Sequence, residues 1–133
     1  LAFVAATKAL EYWDTPEFAE GIIHKGKIFE QGLQAIVDKY PELGCQLRGV
    51  GMVWGIEFED DGFPSSISEE AFSRQLIIET AGAKGQVLKF LPALTIEEPI
   101  IKEGLAIIDE SIATVLKARQ NLRDGILSWL FAT

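Results

Sequence analysis

The stretch Gln86–Ile96, QVLKFLPALTI, constrains the fold of this chain more than any other. Val87, Leu88, Phe90 and Leu91 put apolar side chains on both faces of an alternating segment, the pattern of a buried strand. Pro92 ends the pairing because it has no N–H to give to a ladder. Thr95 to Glu98 has the T-x-x-E spacing of a capping box, so an amphipathic helix is expected to open there. Lys89 does not fit a plain core strand. It shares a face with Val87 and Leu91, and an ammonium on an apolar face needs water or a partner. Either Lys89 lies at the rim of the sheet and snorkels to solvent, or it points into a polar site.

Upstream, Leu1–Trp13 reads as a helix rich in alanine. Asp14–Thr15–Pro16 is a break and restart, with Thr15 as N-cap and Pro16 at the first helical position. The second helix runs to about Lys39, with Phe18, Ile22, Phe29, Leu33, Ile36 and Tyr40 as its buried stripe. Pro41 stops it. From Gly44 to Phe58 the period changes to two: Met52, Trp54, Ile56 and Phe58 alternate with Val53, Gly55 and Glu57. Gly49, Gly51 and Gly55 mark a turn or bulge and a close backbone approach. Glu59–Gly62 is a solvated turn. Ser66–Glu69 is a second capping-box spacing, opening a short helix to about Arg74. Leu76–Ile78 reads as a short strand and Ala81–Gly85 as a loop. In the last helix Ile101, Leu105, Ile108, Ile112 and Val115 form an amphipathic face that runs to about Arg123, with Gly125 as terminator. Residues 124–133 then make an apolar tail of Ile126, Leu127, Trp129, Leu130 and Phe131, expected to fold back on the domain or to cover a neighbour. The order predicts one α+β domain over residues 1–133: a small, mostly antiparallel sheet with helices packed on one face.

The net charge of −8 argues against a nucleic-acid partner, which requires clustered Lys and Arg. No apolar run is long enough to cross a bilayer, so no membrane partner is expected. Cys45 stands alone, which excludes a disulfide within the chain and fits a reducing cytoplasm. The opening at Leu1, without Met or a basic leader, reads as a chain cut from something longer.

The residues that could carry chemistry each have a plain reading. His24 has no second histidine or cysteine with which to share a metal, so it reads as a helix-surface histidine. Cys45 reads as a structural thiol. Gly82–Ala83–Lys84–Gly85 lacks P-loop spacing and reads as a hairpin turn. Glu57, Glu59, Asp60 and Asp61 lack the pattern of a calcium loop and read as a solvated turn. Glu79 and Thr80 precede the glycine loop and either face a pocket or keep a strand end polar. No nucleophile, base and orienting group come together. The residues alone describe an α+β domain without self-contained chemistry.

Four segments resemble the class III pyridoxal-phosphate aminotransferases, in the same order. They are LAFVAATKALEYW, RGVGMVWGIEF with Arg48, Gly49, Gly51 and Gly55, LIIETAGAKGQVLKFLPALTI, and IKEGLAIIDESI. LIIET with VLKFLPALTI is similar to the diaminobutyrate–2-oxoglutarate aminotransferases of the ectoine and siderophore type. There are departures. Gln75 stands where the family usually has glycine, and Pro92–Ala93 where it has a proline pair. Lys89 replaces an arginine that many members use to hold a substrate carboxylate, while the diaminobutyrate type resembles this chain in having lysine. The tail after Arg119 has no counterpart.

The resemblance implies the small C-terminal domain of a dimeric transaminase that moves the terminal amino group of L-2,4-diaminobutyrate to 2-oxoglutarate. Its expected partners are the N-terminal cofactor domain of the same parent, a second subunit, and small amino-acid and 2-oxo-acid substrates. The cofactor would be pyridoxal phosphate, bound by residues that lie upstream in the family. No catalytic, cofactor-binding or metal residue is therefore expected here, and the chain alone is expected to be inactive. Lys89, Glu79 and Thr80 would line the substrate mouth. Two alternatives stand beside this reading. One is a non-catalytic interaction domain derived from the family. The other is a class III aminotransferase for ornithine, acetylornithine or 4-aminobutyrate.

Overall fold

A computed structural model describes residues 1–60 and 62–130. Helix α1, Ala2–Leu10, continues into a 3-10 turn at Glu11–Trp13 and buries none of its residues. The Tyr12 and Trp13 rings rest against Phe18, at 5.1 and 4.9 Å between centroids. Helix α2 spans Pro16–Lys39, with Thr15 extended before it and Pro16 in its first turn. Proline costs no hydrogen bond there, because the first N–H groups of a helix have no partner inside it. Phe29, Leu33, Ile36 and Tyr40 are buried as the stripe requires, while Ile22 is only partly so.

The expected strand region from Gly44 is a hairpin, β1 Gln46–Val50 and β2 Val53–Glu57. Gly51 makes its turn at φ +59, a conformation that side chains with a Cβ resist. Strands β3, Glu79–Ala81, and β4, Val87–Phe90, complete a sheet of order β1-β2-β4-β3 in which every pairing is antiparallel. Trp54 and Ile56 on β2 and Leu88 and Phe90 on β4 point to one side and meet α2, α3 (Phe63–Ser73) and α4 (Glu98–Leu130) in a single core. The expected architecture, a small antiparallel sheet with helices on one face, is the one observed.

Several local expectations are corrected. The β4 strand is buried on one face only: Leu88 and Phe90 are buried, Val87 and Lys89 are half-buried, and Leu91 is exposed beyond the strand end. Helix α3 opens at Phe63, not at Ser66. Phe63 and Pro64 bury in the core, and the Ser66 hydroxyl donates back to the Gly62 carbonyl inside the helix. The strand expected at Leu76–Ile78 lies three residues later, at Glu79–Ala81. Leu76–Ile78 instead leads from α3 to the sheet edge, with Ile77 exposed.

Helix α4 opens at Glu98 rather than after Thr95. A start capped by Thr95 would need an N–H from residue 99 to reach the Thr95 carbonyl, and Pro99 has none; the later start puts Pro99 harmlessly in the first turn. At its other end α4 does not stop near Arg123. It runs through Gly125 to Leu130, so residues 124–130 continue the helix, and Ile126, Leu127 and Trp129 are exposed rather than folded back on the domain. Phe131 lies outside the described residues.

Candidate functional site

Lys89 and Glu79 are the singled-out residues that the fold brings together. The β3–β4 hairpin places them directly opposite each other in register. Its loop turns on Gly82 and Gly85, both at positive φ, as the hairpin reading of that loop expects. Residues paired across an antiparallel ladder present their side chains on the same face. The Lys89 ammonium sits 2.7 Å from a Glu79 carboxylate oxygen, with the lysine 34% and the glutamate 71% exposed. The hydrogen bond from Lys89, then its charge, holds the Glu79 carboxyl below its ordinary value. Lys89 is thus neither a free rim lysine nor buried and unpaired. Its face is the one turned away from the core, which also carries Arg48 with its partner Glu57 at 3.0 Å.

Both residues of the pair contribute to the wall of a cavity of about 330 Å3 at the end of β4. The rest of the wall is mainly apolar: Phe90, Leu91 and Pro92 from the strand end, Leu76–Ile78 from the approach to β3, and Ile101 and Leu105 from α4. Thr80 is exposed, sits opposite Leu88 and does not line this cavity. Sequence reasoning missed Lys25. Its ammonium donates to the carbonyls of Leu94 (2.5 Å) and Ile96 (3.1 Å), tying the segment between β4 and α4 to α2. No local pattern announces such a contact, because its partners are backbone atoms about seventy residues away.

The other singled-out residues lie apart. His24 is exposed on α2 with its Nε2 3.4 Å from Glu98. Cys45 is half-buried; burial, reinforced by Glu42 and Glu59, pushes its thiol up to about 11, which suits a structural and unreactive group. In the acidic stretch Glu57 pairs with Arg48 and Asp60 with Arg119, two different cations, while Asp61 lies outside the described residues. Among the described residues no group of three His, Cys, Asp or Glu is placed to hold a metal ion, and no helix is long and apolar enough to cross a membrane.

A profile of the aminotransferase class-III family matches residues 1–112. The diaminobutyrate–2-oxoglutarate transaminase of Wolinella succinogenes is 47% identical over 120 residues, 90% of this chain and 28% of that protein. The protein of the same name from Oceanobacillus iheyensis is 47% identical over 117 residues, 88% of this chain and again 28% of its own length. The chain therefore spans little more than a quarter of these relatives. Among solved structures, N-acetylornithine aminotransferase from Stenotrophomonas maltophilia superposes with a TM-score of 0.73 at 26% identity, covering 85% of this chain and 31% of that one. Lysine aminotransferase from M. tuberculosis shares the fold with a TM-score of 0.77 at 21% identity, over 84% of this chain and 25% of that one.

Proposed function

The chain belongs to the class III aminotransferase family, and from that premise we propose that it serves as the small domain of a transaminase acting on L-2,4-diaminobutyrate and 2-oxoglutarate. The observation that carries the substrate assignment is 47% identity, across nine-tenths of this chain, to proteins bearing that name. On this reading the rest of the enzyme, including the cofactor domain and a second subunit, corresponds to the length of the relatives that this chain does not span.

The family implies pyridoxal phosphate, which when bound takes up the amino group and spreads the negative charge left on carbon. The residues described here do not fit a cradle for it. Lys25 is held by two backbone carbonyls, and Lys89 faces Glu79 at the cavity wall, where one cation beside one anion suits an amino-acid head rather than a phosphate. We therefore assign no cofactor contact to this chain, and the chain alone is proposed to be inactive.

Its own part is to hold substrate. Lys89 and Glu79 present one cation and one anion side by side at the wall of an apolar cavity. The head of an amino acid carries the matching pair, a carboxylate for Lys89 and an ammonium for Glu79. Exchanging the internal ion pair for these two contacts keeps both charges satisfied and leaves the distal amine of the substrate projecting away. Glu79 is exposed enough to release its partner at small cost. Thr80, one residue along the edge strand, pairs with Leu88 and stands outside the cavity, so no substrate contact is assigned to it.

The test is an assay of the full-length protein that carries this chain, with 2-oxoglutarate as acceptor. Diaminobutyrate is expected to be the preferred donor. Lys89→Met is expected to raise KM tenfold or more, about 1.4 kcal/mol of binding, with a smaller effect on kcat. The likeness to N-acetylornithine aminotransferase favours a second reading in which the donor is another ω-amino acid. Preference for ornithine or acetylornithine would establish it, and an unchanged KM in Lys89→Met would remove the lysine from the site.

A further inference from the structure

Strand β4 leaves its ladders at Phe90. Its last pairings are Lys89 with Glu79 and Phe90 with Trp54, and helix α4 does not open until Glu98. The connection over residues 91–97 gives the cavity Leu91, Pro92 and Ile96. Little of its own backbone holds it in place. Pro92 has no N–H to give, and the Ile96 N–H donates within the connection, to the Ala93 carbonyl at 2.9 Å. Among the described residues, Lys25 is the one side chain that hydrogen-bonds this backbone, at Leu94 and at Ile96.

The packing of α2 places Lys25. Gly26, next to it, is buried and lies so close to the β1–β2 turn that a Cβ there would stand 2.8 Å from the Gly51 carbonyl oxygen. One helical turn on, Phe29 meets Phe90 edge to face at 5.8 Å between centroids and lines the cavity itself. With α2 seated at both points, the base of the Lys25 side chain is fixed. A charged donor makes stronger hydrogen bonds than a neutral one. Two carbonyls held two residues apart fix the path of the connection, not a single point on it.

We propose that Lys25 is a positioning residue for the substrate cavity: by holding the Leu94 and Ile96 carbonyls it fixes the apolar wall against which the carbon chain of the amino donor lies. The inference rests on the reading that the Lys89–Glu79 pair receives the head of the amino acid. With the head held there, a wall that does not yield measures the chain behind it. One added methylene must then displace the wall or pull the head off its charged pair, and the cost of either is discrimination between donors. Lys25 itself touches no substrate. It acts through Leu91, Pro92 and Ile96, and governs the choice of donor rather than the reaction.

The test compares diaminobutyrate with ornithine, one methylene longer, as donors for the full-length protein that carries this chain. Lys25→Met keeps the apolar stem and removes the ammonium. Leu94 and Thr95 are exposed, so water reaches the freed backbone and the fold is expected to survive. KM for the preferred donor should rise about three- to tenfold, and the ratio of kcat/KM between the two donors should fall by a similar factor, with kcat for the preferred donor held. Without substrate, amide hydrogen exchange over residues 93–101 should quicken while that of β2 stays as it is. Lys25→Arg, which still has donors for both carbonyls, should restore most of the ratio. Lys27→Met, at an exposed lysine of the same helix, should leave it unchanged. An unaltered ratio in Lys25→Met, in a protein whose Lys89→Met does raise KM, would overturn this proposal and leave the site standing. An unchanged KM in Lys89→Met would remove the site, and this proposal with it. Equal losses toward both donors, or a Lys25→Met protein that fails to fold, would make Lys25 a structural residue only and overturn the proposal as well.

Discussion

The two faces of the four-stranded sheet are made by the same strands and do opposite things. Facing the helices, Trp54, Ile56, Leu88 and Phe90 are at most 7% exposed. One residue along on β2 and β4 stand Gly55, Glu57, Val87 and Lys89, none of them buried, and across the ladder from them Arg48 and Glu79. The inner face is uniformly apolar, and its removal from water is what folds the chain. The outer face has a bare glycine at its centre and ion pairs on either side. Successive side chains on a strand point to opposite faces, so a shift of one residue moves a position from the packed face to the charged one. The chain can therefore vary its outer chemistry without disturbing its core.

The largest expected effect breaks the inner face. Leu88 is fully buried between β2 and the helices, so Leu88→Ala should cost about 2–5 kcal/mol, from lost burial and the cavity left behind. Val87→Ala, one residue away on the outer face, should cost far less. Urea denaturation of both variants checks the contrast. Equal losses would mean that the two faces are not energetically distinct.

A smaller effect concerns how the edge strand is delivered to the sheet. Helix α3 ends with Leu76 N–H bonded to the Ala71 carbonyl at 2.9 Å and Gln75 N–H to the Phe72 carbonyl at 3.0 Å, the two bonds of a Schellman ending. Gln75 occupies the left-handed position at φ +69, where glycine avoids the clash of a Cβ with the backbone. This gives a physical reason for the glycine that the family usually has there. Gln75→Gly should stabilise the chain by about 0.5–1 kcal/mol, the strain relieved less the extra freedom that glycine gives the unfolded state. An unchanged or lower denaturation midpoint would show that the residue is held without strain.

What could be read from the sequence follows the same division. The stripe of α2, the hairpin glycines and the apolar members of β4 were legible because each is a local period or a local conformational demand. Lys89 stood out because an ammonium interrupts an apolar pattern, and Glu79 because it closes a strand approach; that they form a pair is a matter of register. The cavity was not legible at all. Its walls come from α2, the segment after α3, β4 and α4, and no short pattern ties them together. The capping-box spacings at Ser66 and Thr95 misled for one reason: a side chain competent to cap was overruled by a proline nearby, Pro64 carried into the core beside Phe63 and Pro99 unable to donate. The extension of α4 was missed because Gly125 was given the weight of a terminator. A helix already held over several turns of core contact tolerates one glycine at about 1 kcal/mol.

The smallest expected effect asks whether the outer face contributes to stability at all. The bond to Lys89 lowers the Glu79 carboxyl in the folded state. A carboxylate whose folded value is depressed contributes stability above its unfolded value and loses that contribution as the pH falls through the folded one. Melting temperatures should therefore drop on acidification from neutral to about pH 3, and the drop should be slightly smaller in Glu79→Gln. Asp60 and Glu98 have lowered carboxyls of their own, so the wild-type curve alone cannot isolate the pair; the difference between wild type and variant can. Lys89→Met should remove the same increment, and the double variant no more than either single one. Because Glu79 is exposed, the increment should also shrink in high salt. An increment that is large and insensitive to salt would mean that the pair holds the sheet together. One that is small and screened leaves Lys89 free to exchange its partner for a substrate, as the proposed function requires.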